Sequence, residues 1–134
     1  MNDVRNRYLR ERVLTATPAQ RVVMLYDRLA LDLTRARTAP DSATAGRHLA
    51  HAGQVVGELL SSLDRSAGGP AENLADLYSY LLRVLFDAQL GNADESLASA
   101  ETIIGELRTA WTAIADGTAG TDPAPMLATG AWTA

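Results

Sequence analysis

Residues 17–37, TPAQRVVMLYDRLALDLTRAR, decide the fold. Thr17 is a good N-cap, Pro18 occupies a first helical position where its missing N–H costs nothing, and Gln20 at N3 closes a capping box. Val22, Tyr26, Leu29 and Leu33 then recur at helical spacing, with Val23, Leu25 and Ala30 broadening the stripe until Pro40 forbids continuation. A helix with one apolar stripe is stable only when that stripe is covered, so the rest of the chain must supply partner helices.

Three more candidates follow. Asp41 or Ser42 caps a second helix, whose stripe is Leu49, Ala52, Val56, Leu60 and Leu63 and which stops at Ser66-Ala67-Gly68-Gly69. Pro70 at N1 and Glu72 in the first turn open a third, with Leu74, Leu77, Tyr78, Leu81, Leu85 and Ala88 on one face. Gly91-Asn92 breaks the chain, Asn92 and Glu95 form the next start, and the fourth helix carries Leu97, Ala100, Ile104, Leu107, Trp111 and Ile114 before Gly117. Long amphipathic helices on short connections run antiparallel to their neighbours, which predicts an all-α, up-down four-helix bundle. The expected organisation is an N-terminal arm at 1–16, a bundle at 17–116 and a tail at 117–134. The tail is rich in Thr, Ala, Gly and Pro, has few large apolar residues, and is expected to be disordered.

Composition agrees. Of 134 residues, 24 are Ala and 19 Leu against 10 Val plus Ile, a balance that favours helix over strand. One core is the natural size for this length, and with no cysteine the fold relies on neither disulfide nor thiolate metal site. The net charge of -4 speaks against a nucleic-acid-binding module. No apolar run is long enough to cross a membrane, and the arm, with Arg5, Arg7, Arg10 and Arg12 but no apolar core, is no signal peptide. The expected location is the cytosol.

The apolar surplus is informative. Beside the stripe of the third helix stand Tyr80 and Val84 on one flank and Leu82 and Phe86 on the other, and Val55 and Leu59 flank the second. Such residues either broaden the core or line a groove for an amphipathic partner helix. The wheel geometry favours a groove of Val55, Leu59, Tyr80 and Val84, with Leu82 and Phe86 as the alternative flank. Tyr8, Leu9, Val13 and Leu14 in the arm suit a segment that lies on such a surface.

Chemistry is sparse. His48 and His51 are a turn apart on the second helix, too few ligands for a tight metal site, and no Glu-x-x-His pair accompanies them, so neither metal nor cofactor is expected. Ala50-His51-Ala52-Gly53-Gln54 loosely resembles the Ala-His-x-Leu-Lys-Gly run of histidine phosphotransfer modules, with Gln54 where a cationic Lys belongs; this is the alternative reading. The acids, including Asp27, Asp32, Asp64, Asp76 and Asp87, read as solvated charge. With no cysteine nucleophile, phosphate loop or Ser-His-Asp pattern, an enzyme is not expected.

An ordered set of segments resembles the flagellin-specific export chaperone family, FliS. Tyr8 and Thr15-Ala16-Thr17-Pro18, followed by Met24-Leu25-Tyr26-Asp27, are similar to its "TASP … MLYDG". Val55-Val56-Gly57-Glu58-Leu59 and Ser62-Leu63-Asp64 continue it, Leu74-Ala75-Asp76-Leu77-Tyr78-Ser79-Tyr80-Leu81 resembles "L..LYDYL", and Leu107-Arg108-Thr109-Ala110-Trp111 resembles "LRETW". Arg28 and Ala88-Gln89 depart from the usual Gly and Ala-Asn. The resemblance implies a bundle that binds the disordered C-terminal segment of flagellin, blocks its polymerisation, and presents it to the export gate of the flagellar type III apparatus. It further implies an arm around Tyr8, Leu9, Val13 and Leu14 that occupies the partner's surface, and an anti-sigma factor as a further partner.

Overall fold

A computed structural model describes residues 3–7, 16–64, 66, 68–91, 95–118 and 120. Four long helices make the body: α1 (Pro18–Arg37), α2 (Ser42–Ser61), α3 (Pro70–Gln89) and α4 (Glu95–Ala115), with a further exposed helical segment at residues 3–7. The all-α four-helix bundle expected from the stripes is what forms. The expected Asn92 cap and almost all of the tail lie outside the described residues.

The local signals act as their chemistry requires. Gln20 N–H donates to the Thr17 hydroxyl at 3.2 Å and the Gln20 side-chain carbonyl accepts from Thr17 N–H at 2.9 Å, so the capping box of α1 is closed. Arg35 and Arg37 stand in its last turn, facing the negative end of the helix dipole. At α2 the Asp41 carboxylate accepts from Thr44 N–H at 2.7 Å, and that bond holds the Asp41 carboxyl below its ordinary value. The α2 stripe ends sooner than its spacing suggests. Ser61 and Ser62 return their hydroxyls to the carbonyls of Glu58 and Leu59, the helix closes at Ser61, and Leu63 is buried beyond its end.

Gly68 and Gly69 then take φ of 67° and 52°, a consecutive left-handed pair that residues with a Cβ adopt only under strain, and Pro70 starts α3 from that turn. Gly117, at φ 77°, ends α4: its N–H reaches Ile114 O at 3.1 Å while Thr118 N–H reaches Ala113 O at 2.9 Å, the paired bonds of a Schellman motif.

Around the bundle, α1 packs on α2 and on α4, and α2 packs on α3, while the α3–α4 side is the loosest. The core holds Val22, Tyr26, Leu29 and Leu33 from α1 with Leu49, Ala52, Val56 and Leu59 from α2. Tyr78, Leu81 and Leu85 of α3 and Ala100, Ile104 and Trp111 of α4 complete it. Alanine at Ala52, Ala75 and Ala100, each essentially fully buried, is what lets neighbouring backbones approach closely. Two ion pairs, Arg37 with Glu101 at 2.5 Å and Arg108 with Asp27, tie α1 to α4 at the surface, where each contributes at most about 1 kcal/mol.

The cap is a testable contribution. Thr17→Ala removes the hydroxyl that satisfies Gln20 N–H and should lower unfolding stability by about 1 kcal/mol, within a range of roughly 0.5–2. Urea denaturation should show a reduced midpoint at unchanged slope. Thr102→Ala, at an exposed mid-helix position of α4, should stay within about 0.5 kcal/mol of the parent.

Candidate functional site

The polar groups inside the bundle define what can move, and the apolar groups outside define what can bind. At the centre, the hydroxyls of Tyr26 on α1 and Tyr78 on α3 meet at 2.5 Å, and both side chains are buried. The Trp111 indole of α4 stands beside the Tyr26 hydroxyl and offsets part of the effect of burial on it. Burial raises both phenols: Tyr78 rises to about 12, and Tyr26 is pushed higher still because its ionised form would also face the Tyr78 oxygen. One hydroxyl pair therefore links α1 to α3 inside the bundle, with Trp111 of α4 beside it.

A second polar contact joins α1 to α2. Asp32 is 1% exposed and accepts from His51 Nδ1 at 2.5 Å, with Arg28 Nε 3.6 Å from its other oxygen. The expectation that Asp32 belongs to solvated surface charge is corrected here. Asp32 lies three residues after Leu29 and four before Ala36, both core residues, so helical spacing placed it on the buried face. Its polar identity masked that signal.

The apolar surface differs from the groove expected from wheel geometry. Val55, Leu59 and Val84 are 4%, 0% and 5% exposed and belong to the core, so these three do not line an open groove among the described residues. They broaden the packing because Ala-rich neighbours leave room for a wide buried face. Tyr80 stays at the surface. Tyr8, Leu9, Val13 and Leu14 of the arm lie outside the described residues.

The alternative flank is the exposed one. Leu82, Phe86 and Leu90 follow one another at helical i, i+4 spacing along α3. Leu82 packs partly against the core, whereas Phe86 is 59% and Leu90 65% exposed. Leu90 escaped the sequence reading because it follows the last apolar position of the core stripe. Immediately beyond it, Gly91 borders an open hollow of about 360 Å³ where α1 and α3 end and α2 begins, lined also by Ala36, Leu49, Ala88 and Leu97. Strip and hollow together offer a largely apolar surface, and among the described residues no group of three or more His, Cys, Asp or Glu is placed to hold a metal ion. No helix among them is long and apolar enough to cross a membrane.

Residues 1–118 match the family of the flagellar protein FliS. The chain belongs to the FliS family. It is 33% identical over 104 residues to the flagellar secretion chaperone FliS of Salmonella typhimurium, a match covering 74% of this chain and 77% of the relative. The FliS match takes in all four helices, and with them Tyr26, Tyr78 and Trp111 as well as the exposed strip. A secretion chaperone identity suits a site that is a surface rather than a cleft with converging catalytic groups.

The tyrosine pair generates two expectations. Tyr26→Phe and Tyr78→Phe each leave the other hydroxyl without its main partner and should each cost about 1–3 kcal/mol, while the double variant should cost less than the sum. A double-mutant cycle by chemical denaturation measures the difference. In alkali, the unfolded chain loses its phenolic protons near the ordinary value of about 10 while the folded chain keeps them. The stability that this adds is intact below about pH 10 and falls as pH rises through about 12, where Tyr78 titrates. The alkaline unfolding midpoint of the double Phe variant should accordingly lie higher than that of the parent when both are normalised to their neutral-pH stability.

Proposed function

We propose that this chain is a cytosolic flagellar export chaperone that binds the disordered C-terminal segment of flagellin, keeps it from polymerising, and delivers it to the export gate of the type III apparatus. The observation that carries this reading is the strip of half-buried Leu82 and exposed Phe86 and Leu90, the latter two being the most exposed large apolar side chains among the described residues of the four helices and their caps. An amphipathic segment presenting residues at i, i+3 and i+4 can lay its apolar face on such a strip and anchor one side chain toward the hollow beside Gly91. Because the partner is disordered before binding, ordering it offsets about 2–5 kcal/mol of the gross interaction, which keeps a large interface releasable at the export gate.

In this reading the contact surface is the exposed flank with Tyr80 at its far edge, and the arm around Tyr8, Leu9, Val13 and Leu14 is an occupant that flagellin displaces. Val55, Leu59 and Val84 act from beneath by fixing α2 against α3. An anti-sigma factor that is itself disordered would meet the same surface chemistry and compete for it. Catalysis has no part in the activity.

Gel filtration of the chain with its own flagellin tests the reading directly. A complex should form with intact flagellin and be lost when the flagellin C-terminal segment is removed; a complex that persists without that segment refutes the mode. Phe86→Asp should weaken binding by about tenfold or more, since desolvated hydrocarbon at an interface centre is worth about 1–3 kcal/mol per large side chain, with circular dichroism unchanged. Val55→Asp should instead lower stability by several kcal/mol, as a charge buried without a partner does. Deleting residues 1–16 should leave helicity intact and flagellin affinity equal or higher; markedly weaker binding would place the arm within the site.

A further inference from the structure

Export binding leaves the Asp32–His51 pair without a role, and its geometry is that of a prepared nucleophile. We propose that His51 is a phosphoryl acceptor, taking a phosphoryl group at Nε2 from a donor of the phosphoramidate class, which includes the phosphohistidine of another protein.

Three features carry this. First, the Asp32 carboxylate stands 2.5 Å from Nδ1, an acceptor there that favours, in the neutral ring, the tautomer with its proton on Nδ1 and its lone pair on Nε2. Second, Nδ1 faces a carboxylate that is 1% exposed while the His51 side chain as a whole is 39% exposed, so part of the imidazole away from Asp32 is open to solvent. Third, cations are at hand. Arg28 Nε lies 3.6 Å from the second Asp32 oxygen with its side chain half exposed; Arg47, four residues before His51 on α2 and also exposed, donates to the Thr44 hydroxyl at 3.2 Å and would have to leave that bond to meet an added phosphoryl group. A guanidinium is a planar, permanently charged partner for phosphoryl oxygens. The cation missing at Gln54 in the local sequence is thus supplied by Arg28 of the neighbouring helix.

The step balances without a co-reactant. The Nε2 lone pair forms the new N–P bond as the donor's P–N bond breaks, and the electron pair leaves on the donor nitrogen, as ammonia when the donor is phosphoramidate itself. No proton leaves His51. The positive charge that develops on the ring is met by the Asp32 carboxylate at Nδ1, and the added phosphoryl charge by Arg28 and Arg47. His48, one turn earlier, has no carboxylate partner among the described residues and serves as an internal control.

The experiment treats the intact chain with phosphoramidate at neutral pH, quenches in alkali, and follows the gain of about 80 Da by mass spectrometry with site mapping, and the phosphohistidine isomer by phosphorus NMR. The expected result is acid-labile phosphate on His51 Nε2, formed about tenfold faster than on His48 and lost in His51→Gln. Asp32→Asn should slow labelling by about 10–100-fold, as removal of a ligand-orienting carboxylate does. Because Asp32 is buried, the exposed Arg28→Ala, Arg47→Ala double variant, with circular dichroism unchanged, provides a second arm in which labelling slows and the phosphorylated form is shorter-lived. Equal rates at the two histidines, phosphate on Nδ1, or an undiminished rate in the double arginine variant each overturn the proposal.

Discussion

The Tyr26 hydroxyl is the point on which the bundle is registered. It joins α1 to α3 through Tyr78 and stands beside Trp111 of α4, in a core built mainly from aliphatic side chains and alanine. Aliphatic contacts are non-directional and tolerate sliding along a helix, whereas a buried hydroxyl left unpaired costs about 1–3 kcal/mol. The pair therefore penalises every alternative register of α3 against α1. This matters most on the α3–α4 side, where direct helix contact is sparse.

From that constraint follows the central position of α1. It packs on both α2 and α4, places Tyr26 and Asp32 in the interior, and sends Asp27 and Arg37 to surface partners on α4. Its start is fixed by the Thr17–Gln20 capping box, so the positions of its buried polar side chains are set from the first turn. A one-residue displacement would swing them by about 100° away from their partners. Once α1 is held, α3 presents Leu81, Val84 and Leu85 inward, and the C-terminal half of its outer face is left with Leu82, Phe86 and Leu90.

An exposed strip of this kind costs solubility in a monomer and is retained where another chain covers it. In a FliS-family protein the rigid body and the strip divide the work. The buried network keeps the bundle from rearranging, and in the proposed function the strip is the hydrocarbon that a disordered segment covers in short helical stretches. The Asp32–His51 pair lies in the α1–α2 seam and draws on different chemistry, a carboxylate facing an imidazole beside Arg28.

Much of this was legible in residue order. The capping box, the prolines at the starts of α1 and α3, the left-handed Gly68-Gly69 turn and the stripes from Val22 to Leu33 and from Leu74 to Ala88 depend on neighbours within a few residues, so the helices and their antiparallel order follow from sequence alone. The ordered segments from Tyr26 to Trp111 likewise carried the family resemblance. Helical periodicity assigns a face to each residue but not the width of the face that neighbours cover. Only packing decided that Val55, Leu59 and Val84 are interior while Phe86 and Leu90 are not. Pairings across helices were equally hidden: Tyr26 with Tyr78 and Asp32 with His51 lie 52 and 19 residues apart, and nothing local distinguishes those partners from any other polar side chain on the same stripe. The tertiary structure decides them because a polar group in a low-dielectric interior takes the partner that the bundle brings within reach.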